Sequence, residues 1–265
     1  MSKKVLSIQD ISCYGQCSLT VALPILSARG VECAILPSAI LSTHTQGFKD
    51  FTVLDLTIEM PKILNHWINE GISFDAIYTG YIGDVRQFDL ILLAKEKLLK
   101  KGGLFIVDPA MADNGKLYPA LNEDIVAGMK KIVSEADVIL PNITEACLLT
   151  DTPYTENPDY EELINRLTKL GAKKTILTGV VDGNKIGATF YDGKTSTTVL
   201  KEKEYPSYHG TGDIFSSVIV ADILNGKNAY DTLDDATSFI VDSIKATKDD
   251  KEHSYGVKFE DVLNK

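Results

Sequence analysis

The sequence is poor in the residues that build metal and disulfide sites. Among its 265 residues there are only four cysteines and four histidines. No two cysteines form a C-x-x-C pair, so a zinc site is not expected, and the thiols are expected to be free. The chain also lacks an excess of positive charge, because its formal net charge is -10 at pH 7. This argues against binding to nucleic acids or to anionic membranes.

Long apolar runs and common nucleotide-binding motifs are missing as well. No segment approaches the ~20 apolar residues of a membrane span, and the first residues, MSKKVLSIQD, lack the apolar core of a signal peptide. We therefore expect a cytoplasmic protein. There is no G-x-x-x-x-G-K-S/T loop, no G-x-G-x-x-G after the first strand and no set of protein-kinase motifs. These absences disfavour a P-loop enzyme, a dinucleotide-binding enzyme and a protein kinase.

What the sequence does have is a regular alternation of short apolar strands and amphipathic helices. Repeated strand–helix–strand units indicate an α/β fold with a central, mostly parallel, twisted sheet and helices on both faces. The stretch KIGATFYDGKTSTTVLKE breaks this alternation and predicts a β-hairpin at the sheet edge. Two closing helices are predicted at 213–225 and at about 229–247. Because no linker or repeat is visible, residues 1–265 are predicted to form one domain.

Polar residues and glycines cluster where the predicted strands end. Asp10 follows the first strand, Asp108 follows the strand LFIV, and Asn142 and Glu145 follow the strand DVIL. Ligands of open α/β sheets bind beyond the carboxyl ends of the strands, so a small-molecule site is expected along this rim. Oxygen ligands suit Mg²⁺, which makes Asp108, Asn142 and Glu145 candidates for a magnesium environment.

The segment HGTGD, residues 209–213, precedes an apolar helical run. Gly210, Thr211 and Gly212 can turn their backbone N–H groups inward as an anion-binding nest, to which the following helix adds its positive end. Asp213 would then be the base that takes the proton from an attacking alcohol. In combination, these features indicate phosphoryl transfer from a nucleotide.

Each of these motifs also has a simpler structural interpretation. A turn followed by a helix cap accounts for GTGD taken alone, since aspartate is a favoured cap. Asp108 also fits a turn-forming Asp-Pro, although its position after an apolar strand favours a function, and Asn142 with Glu145 is typical of a helix start. A lone loop histidine such as His44 is more often structural than catalytic.

The motifs taken in order resemble those of a known family. GTGD at the start of a late helix is similar to the signature of the ribokinase superfamily. Within it, the chain resembles the pyridoxal (vitamin B6) kinases through SIQDISCYGQCS, HTQ (His44, Thr45 and Gln46), GYIG, DPAM and PNITEACLL. These motifs run in the family order from residue 5 to about residue 220, so the resemblance covers most of the chain.

The resemblance implies a three-layer ribokinase-like fold and ATP-dependent phosphorylation of the 5′-hydroxymethyl group of pyridoxal, pyridoxamine or pyridoxine. It implies Asp213 as catalytic base beside an anion hole of Gly210, Thr211 and Gly212. It places five strand-end residues near ATP: Asp108, Asn142, Glu145, Thr178 and Gly179. Of these, Asp108 and Glu145 would bind the metal. The residues of the pyridine pocket would be Asp10, His44, Thr45 and Tyr81. Magnesium, a monovalent cation such as K⁺, and a homodimer are implied as well.

Two features depart from this pattern. Asp10 stands where many members have serine facing the ring heteroatoms, and a carboxylate there can accept a hydrogen bond from a protonated ring nitrogen or from the 3-hydroxyl. HGTG with His209 also resembles the hydroxymethylpyrimidine kinases of thiamine synthesis, although those usually carry cysteine at the position of Asp213. Such a kinase and a non-catalytic ligand-binding protein with the same fold are the alternatives. The polar segment from Met111 to Pro119 is predicted to be a mobile flap.

Overall fold

The computed structural model describes residues 2–45, 47–119, 121–205, 208–250, 252–253 and 255–263. Its helices, in chain order, are α1 (Leu19–Ala28), α2 (Met60–Asn69), α3 (Arg86–Leu98), α4 (Glu123–Val133), α5 (Ile143–Leu149), α6 (Tyr160–Leu170), α7 (Thr211–Leu224) and α8 (Ala229–Thr247), followed by a 3₁₀ turn at Phe259–Asp261. Its strands are β1 (Lys4–Ser12), β2 (Glu32–Leu41), β3 (Val53–Asp55), β4 (Phe74–Thr79), β5 (Leu99–Val107), β6 (Ala112–Asp113), β7 (Lys116–Leu117), β8 (Val138–Ile139), β9 (Thr175–Asp182), β10 (Lys185–Tyr191) and β11 (Ser196–Glu202).

The central sheet has the strand order β11-β10-β9-β8-β5-β4-β1-β2-β3. The strands from β9 to β2 in this order pair in parallel. At one edge β10 pairs antiparallel with both β9 and β11, which confirms the edge hairpin. At the other edge the short β3 pairs antiparallel with β2. Because the inner strands are parallel, their carboxyl ends all reach the same rim of the sheet.

Two apolar layers cover the sheet, and β1 shows why. Its side chains alternate between the faces: Leu6 and Ile8 pack in the cluster that holds α2 to α6, whereas Val5 packs in the cluster that holds α1, α7 and α8. All three side chains are fully buried, as expected of a parallel strand covered on both sides. The structure therefore confirms the three-layer α/β architecture.

The closing helices match their predicted bounds closely. Helix α8 begins at Ala229 and ends at Thr247 as predicted, while α7 begins at Thr211 rather than Asp213. The earlier start of α7 arises because Gly210 adopts a left-handed conformation, with φ of 78°, and occupies the N-cap position. Among the described residues, no helix combines the length and the apolar character needed to cross a membrane.

The segment from Met111 to Pro119 contains a feature that its polar composition did not suggest. Strands β6 and β7 pair antiparallel and form a small hairpin. The two linking residues, Asn114 and Gly115, have φ of 51° and 75°, as a tight Asn-Gly hairpin turn requires. The structure therefore gives the predicted flap a defined backbone conformation, and its mobility stays a prediction.

Candidate active site

Two adjoining cavities open at the carboxyl rim of the sheet, and Asp213 lines both. The larger cavity has a volume of about 410 Å³, and its walls include all five residues predicted to lie near ATP: Asp108, Asn142, Glu145, Thr178 and Gly179. The smaller cavity has a volume of about 100 Å³, and its walls include all four residues predicted to bind the acceptor: Asp10, His44, Thr45 and Tyr81. The predicted site residues therefore come together in space, in two groups that meet at Asp213.

The amino end of α7 forms part of the wall between the cavities. Gly210, Thr211 and Gly212 line the larger cavity, and no side chain of the described residues caps this helix end. Its first N–H groups thus remain available to an anionic ligand. Gly210 is required here for two reasons, because its φ is positive and because a Cβ would lie 1.8 Å from the carbonyl oxygen of Gln16.

Asp213 is held at the first turn of α7 between these two spaces. Burial raises the pKa of its carboxyl to about 6, a backbone N–H bond from Ser18 opposes this rise, and the charge of Asp10 adds to it. A base with this pKa is mostly ionised at neutral pH and can still take up a proton. The Ser217 hydroxyl donates to the Asp213 carbonyl at 2.6 Å, which ties the first turn to the next.

Asp108 follows β5 and faces the larger cavity. Its side chain is almost fully buried, and the Ser216 hydroxyl donates to its Oδ2 atom at 2.5 Å. Burial raises the pKa of this carboxyl to about 8, the Ser216 bond opposes the rise, and the nearby Asp213 charge adds to it. No positively charged side chain of the described residues contributes to this pKa. A cation in the larger cavity would therefore stabilise the ionised form of Asp108.

Asn142 and Glu145 close the amino end of α5 as a capping box. The Asn142 side chain accepts from the Glu145 N–H at 2.9 Å, and the Glu145 side chain accepts from the Asn142 N–H at 2.8 Å. The other Glu145 oxygen accepts from the Met111 N–H at 3.1 Å, and the Asn142 amide donates to the Ala112 carbonyl at 2.8 Å. Both side chains thus hold the β6–β7 hairpin against α5. Burial, and then the Asp108 charge, raise the Glu145 pKa well above its usual range.

The strand β9 delivers Thr178 and Gly179 to the larger cavity. The Thr178 N–H donates to the Pro141 carbonyl at 2.9 Å, which joins this strand to the start of α5. Gly179 has φ of 79°, a conformation that glycine adopts without strain. Neither side chain carries charge, so these residues shape the cavity wall rather than its electrostatics.

The smaller cavity combines a carboxylate with aromatic groups. Asp10 is 3% exposed and accepts a hydrogen bond from the Ser12 hydroxyl at 3.0 Å. The His44 ring packs edge-on against Phe48, with centroids 4.9 Å apart. Burial, and then the Asp10 charge, raise the pKa of Tyr81 to about 12. Gln46, the last residue of the HTQ motif, lies outside the described residues.

His209 and Tyr118 line both cavities, although neither was among the predicted site residues. The His209 ring lies 5.9 Å from the His44 ring, centroid to centroid. Tyr118 belongs to the predicted flap and directly follows the β6–β7 hairpin. The sequence pointed to His209 only through the HGTG motif and to Tyr118 only through the predicted flap, and it assigned neither residue to a cavity.

Two serines of the site were also missed. Ser18 is the N-cap of α1, with φ of 51°, and its N–H bonds to the Asp213 carboxylate. A left-handed serine has no recognisable sequence signal, although strained backbone of this kind often accompanies functional sites. Ser216 could have been found, because it follows Asp213 by three residues and therefore shares its face of the helix.

A parallel α/β sheet, an uncapped glycine-rich helix end and a carboxylate between two cavities define a small-molecule kinase of the ribokinase-like class. Comparison with known sequences specifies the family: the phosphomethylpyrimidine kinase model matches residues 23–258. The chain therefore belongs to this family, within which the resemblance to pyridoxal kinases is confirmed.

Three relatives show how near this likeness is. The pyridoxal kinase PdxY of Haemophilus influenzae is 27% identical over 92% of this chain and 89% of its own. The crystal structure of pyridoxal kinase from Lactobacillus plantarum is 33% identical, with a TM-score of 0.92 over 99% of this chain and 95% of its own. A Bacteroides thetaiotaomicron protein, described as a phosphomethylpyrimidine kinase and crystallised with pyridoxal, is 36% identical, with a TM-score of 0.94 over 100% of this chain and 95% of its own.

Proposed function

We propose that this protein transfers the γ-phosphoryl group of ATP to the 5′-hydroxymethyl group of a vitamin B6 vitamer. The observation that carries the proposal is the position of Asp213, which lines both cavities. An alcohol bound in the smaller cavity can give its proton to Asp213 while its oxygen attacks a phosphoryl group held in the larger one. The relatives named pyridoxal kinases and the related structure with pyridoxal support this choice of acceptor.

In this proposal the amino end of α7 stabilises the transferred group. As the phosphoryl group moves towards the acceptor, the N–H groups of Gly210, Thr211 and Gly212 point at its oxygens and offset their charge. Asp213 lies one residue further along the same turn, so one short segment supplies both the anion hole and the base. Thr178, Gly179 and Asn142 would complete the binding of ATP.

The charge of the larger cavity fits a magnesium ion. Burial raises the Asp108 pKa to about 8, and no positively charged side chain within the described ranges contributes to lowering it. No group of three or more potential ligands occurs in the described part of the chain, so a magnesium ion here would depend on one or two carboxylates together with waters and phosphates. Asp108 would hold the ion directly. Glu145, whose two oxygens already accept backbone N–H bonds, would contribute mainly its charge.

The remaining parts of the proposal come from the family resemblance. They are a stimulation by K⁺, a homodimeric state and a cytoplasmic location. Activity in potassium compared with sodium buffers checks the first, and light scattering on the purified protein checks the second. Fractionation of cells that express the protein checks the third.

A coupled ADP-release assay tests the proposed function directly. The acceptors are pyridoxal, pyridoxamine, pyridoxine and hydroxymethylpyrimidine, and mass spectrometry identifies each phosphorylated product. We expect the B6 vitamers to have the higher kcat/KM. The pyrimidine is the second candidate because the matching family model bears its name, and a preference for it above about tenfold, or roughly 1.4 kcal/mol, would overturn the proposal.

A further inference from the structure

The smaller cavity contains a buried carboxylate that no cation offsets. Asp10 is 3% exposed, and its side chain accepts hydrogen bonds from the hydroxyls of Ser12 and Ser18. Among the described residues that line this cavity there is no lysine or arginine. Two hydroxyl donors do not neutralise a buried charge, and burial accordingly raises the Asp10 pKa.

A second buried group of the same cavity, His44, does lack a hydrogen-bond partner in the part of the chain that the structure describes. His44 is 6% exposed, and its Nε2 atom has no hydrogen-bond partner among the described residues. The Tyr255 backbone favours the protonated form of the ring, as a carbonyl beside Nδ1–H does, and we therefore infer that Nδ1 carries the proton of the neutral ring. Burial and the neighbouring His209 lower the His44 pKa, so the ring is neutral and its Nε2 atom is an acceptor.

Asp10 and His44 would therefore both be stabilised by a bound molecule that donates hydrogen bonds to them. Both residues line a cavity of about 100 Å³. Within the described part of the chain, the Asp10 carboxylate lacks an offsetting positive charge and the His44 Nε2 atom lacks a partner, and either deficit destabilises an occupied site unless the ligand removes it. A ligand that brings a positively charged N–H group and a second donor satisfies both. A ligand whose ring nitrogen carries an unprotonated lone pair meets the Asp10 carboxylate with repulsion.

We propose that Asp10 is a specificity-determining residue that selects acceptors whose ring nitrogen is protonated, with His44 accepting from a second donor of the same ligand. The proposal rests on the proposed function, since it names the form of the B6 vitamer that binds. It favours a pyridinium alcohol over a pyrimidine alcohol. Each ring nitrogen of a pyrimidine withdraws electrons from the other, so the ring is harder to protonate than that of a pyridine with an electron-donating hydroxyl.

The first test compares two acceptors that differ only at the ring nitrogen. Pyridoxine is assayed beside its carbocyclic counterpart, in which C–H replaces the nitrogen. In the wild type we expect pyridoxine to have the higher kcat/KM by at least about tenfold, as a charge-assisted bond implies. Asp10→Asn should reduce that ratio by about tenfold, mainly through the KM for pyridoxine. The carbocyclic alcohol should be affected little.

Asp182→Asn is the matched control, because it removes one carboxylate from the exposed end of β9. It should leave the ratio between the two acceptors unchanged. The KM for ATP, measured for each variant, reports whether the larger cavity is intact. A ratio that stays the same in Asp10→Asn, with the ATP KM preserved, would overturn the proposal.

A second measurement needs no substitution, so it remains decisive if Asp10 variants do not fold. Binding of 5′-deoxypyridoxine, which lacks the accepting hydroxyl, is followed by isothermal titration calorimetry in two buffers of different ionisation enthalpy. At a pH where the free ring nitrogen is mostly unprotonated, we expect an uptake of about one proton per ligand bound. Binding with no proton uptake would contradict the proposal.

The outcomes separate this inference from the proposed function. If no B6 vitamer is phosphorylated and the deoxy ligand does not bind, the proposed function fails. If vitamers are phosphorylated while pyridoxine and its carbocyclic counterpart react equally well, only the role of Asp10 fails.

Discussion

Helices α5 and α7 begin with the same spacing and use it in opposite ways. Each has its acidic residue three positions after the N-cap: Glu145 follows Asn142, and Asp213 follows Gly210. In α5 the Asn142 side chain closes a reciprocal capping box with Glu145. In α7 the N-cap has no side chain, so the helix end stays open and Asp213 lines both cavities.

The difference between the two helix ends is set by one residue. An asparagine at the N-cap satisfies backbone donors within the chain and gives stability. A glycine leaves those donors for a ligand and frees the acidic side chain for chemistry. The same acidic position therefore holds a neighbouring hairpin in α5 and supplies the proposed base in α7.

Removing the acidic group of the open end should have the largest effect. Asp213→Asn keeps the shape of the side chain but cannot accept a proton, so kcat should fall by about 10²- to 10⁴-fold with ATP binding largely preserved. In the wild type, kcat/KM should rise as pH increases through about 6, because the raised pKa of Asp213 sets the pH at which the base is freed.

The control for this variant is Asp182→Asn, which removes an exposed carboxylate that lines neither cavity and should retain activity. Steady-state kinetics at saturating ATP give kcat for all three proteins. Turnover of Asp213→Asn within about tenfold of the wild type would exclude Asp213 as the base.

Adding a side chain to the open N-cap should have the next largest effect. In Gly210→Ala the new Cβ would lie 1.8 Å from the Gln16 carbonyl oxygen, at a φ of 78°. We expect a loss of about 1–3 kcal/mol in the free energy of unfolding. We also expect kcat/KM to fall at least about tenfold, because the backbone of the proposed anion hole must shift. Urea denaturation and kinetics measure the two effects.

Gly212→Ala is the stability control for Gly210→Ala. Nothing lies within 4 Å of the Cβ position at Gly212, and alanine in a helical turn is favoured over glycine by up to ~1 kcal/mol. Its midpoint of unfolding should be equal to or higher than that of the wild type. If both variants are destabilised equally, the close approach of Gln16 is not what requires Gly210.

The helix comparison also shows which parts of the molecule could be predicted from sequence. The alternation of strands and helices, the edge hairpin and the glycine-rich start of α7 are local patterns, so residue spacing was sufficient to predict them. The contacts of Glu145 with Met111, and of Ser18 with Asp213, join distant segments through backbone N–H groups. Every residue type except proline offers such groups, so the residue types at Met111 and Ser18 did not indicate these contacts in advance.

Opening the closed end of α5 should have a moderate effect on stability. Asn142→Ala removes the cap and the bond to the Ala112 carbonyl, and we expect a loss of about 1–2 kcal/mol. The variant should also increase hydrogen exchange in residues 111–119, because the hairpin loses one of its attachments to α5. Denaturation and exchange mass spectrometry measure the two effects.

Asn122→Ala supplies a matched cap deletion away from the site. Its side chain accepts from the Asp124 and Ile125 N–H groups at the start of α4. The loss of stability should be similar, with no change in exchange at 111–119. Equal exchange of that segment in Asn142→Ala and the wild type would show that Asn142 does not restrain the hairpin.

The smallest expected effect is on stability and concerns Asp108, which interacts with both helix ends. The charge of Asp213 at the open end raises the pKa of Asp108. The charge of Asp108 raises the pKa of Glu145 at the closed end. The Asp108 pKa of about 8 in the folded chain exceeds the usual value of 3.8. Between pH 3.8 and about pH 8 the folded chain therefore keeps a proton on Asp108 that the unfolded chain has lost. Stability contributed by this group is therefore fully present below about pH 4 and is lost as pH rises towards 8.

Asp108→Asn cannot ionise, so it should escape this loss. Without nucleotide and Mg²⁺, we expect the variant to be more stable than the wild type by on the order of 1 kcal/mol at pH 8, with the difference shrinking towards pH 5. Saturating Mg²⁺ and ATP should narrow the difference or reverse it, because a bound cation favours the ionised Asp108 of the wild type. Thermal unfolding across this pH range measures the difference in stability between the two proteins. A difference that does not change with pH would show that ionisation of Asp108 does not destabilise the folded chain.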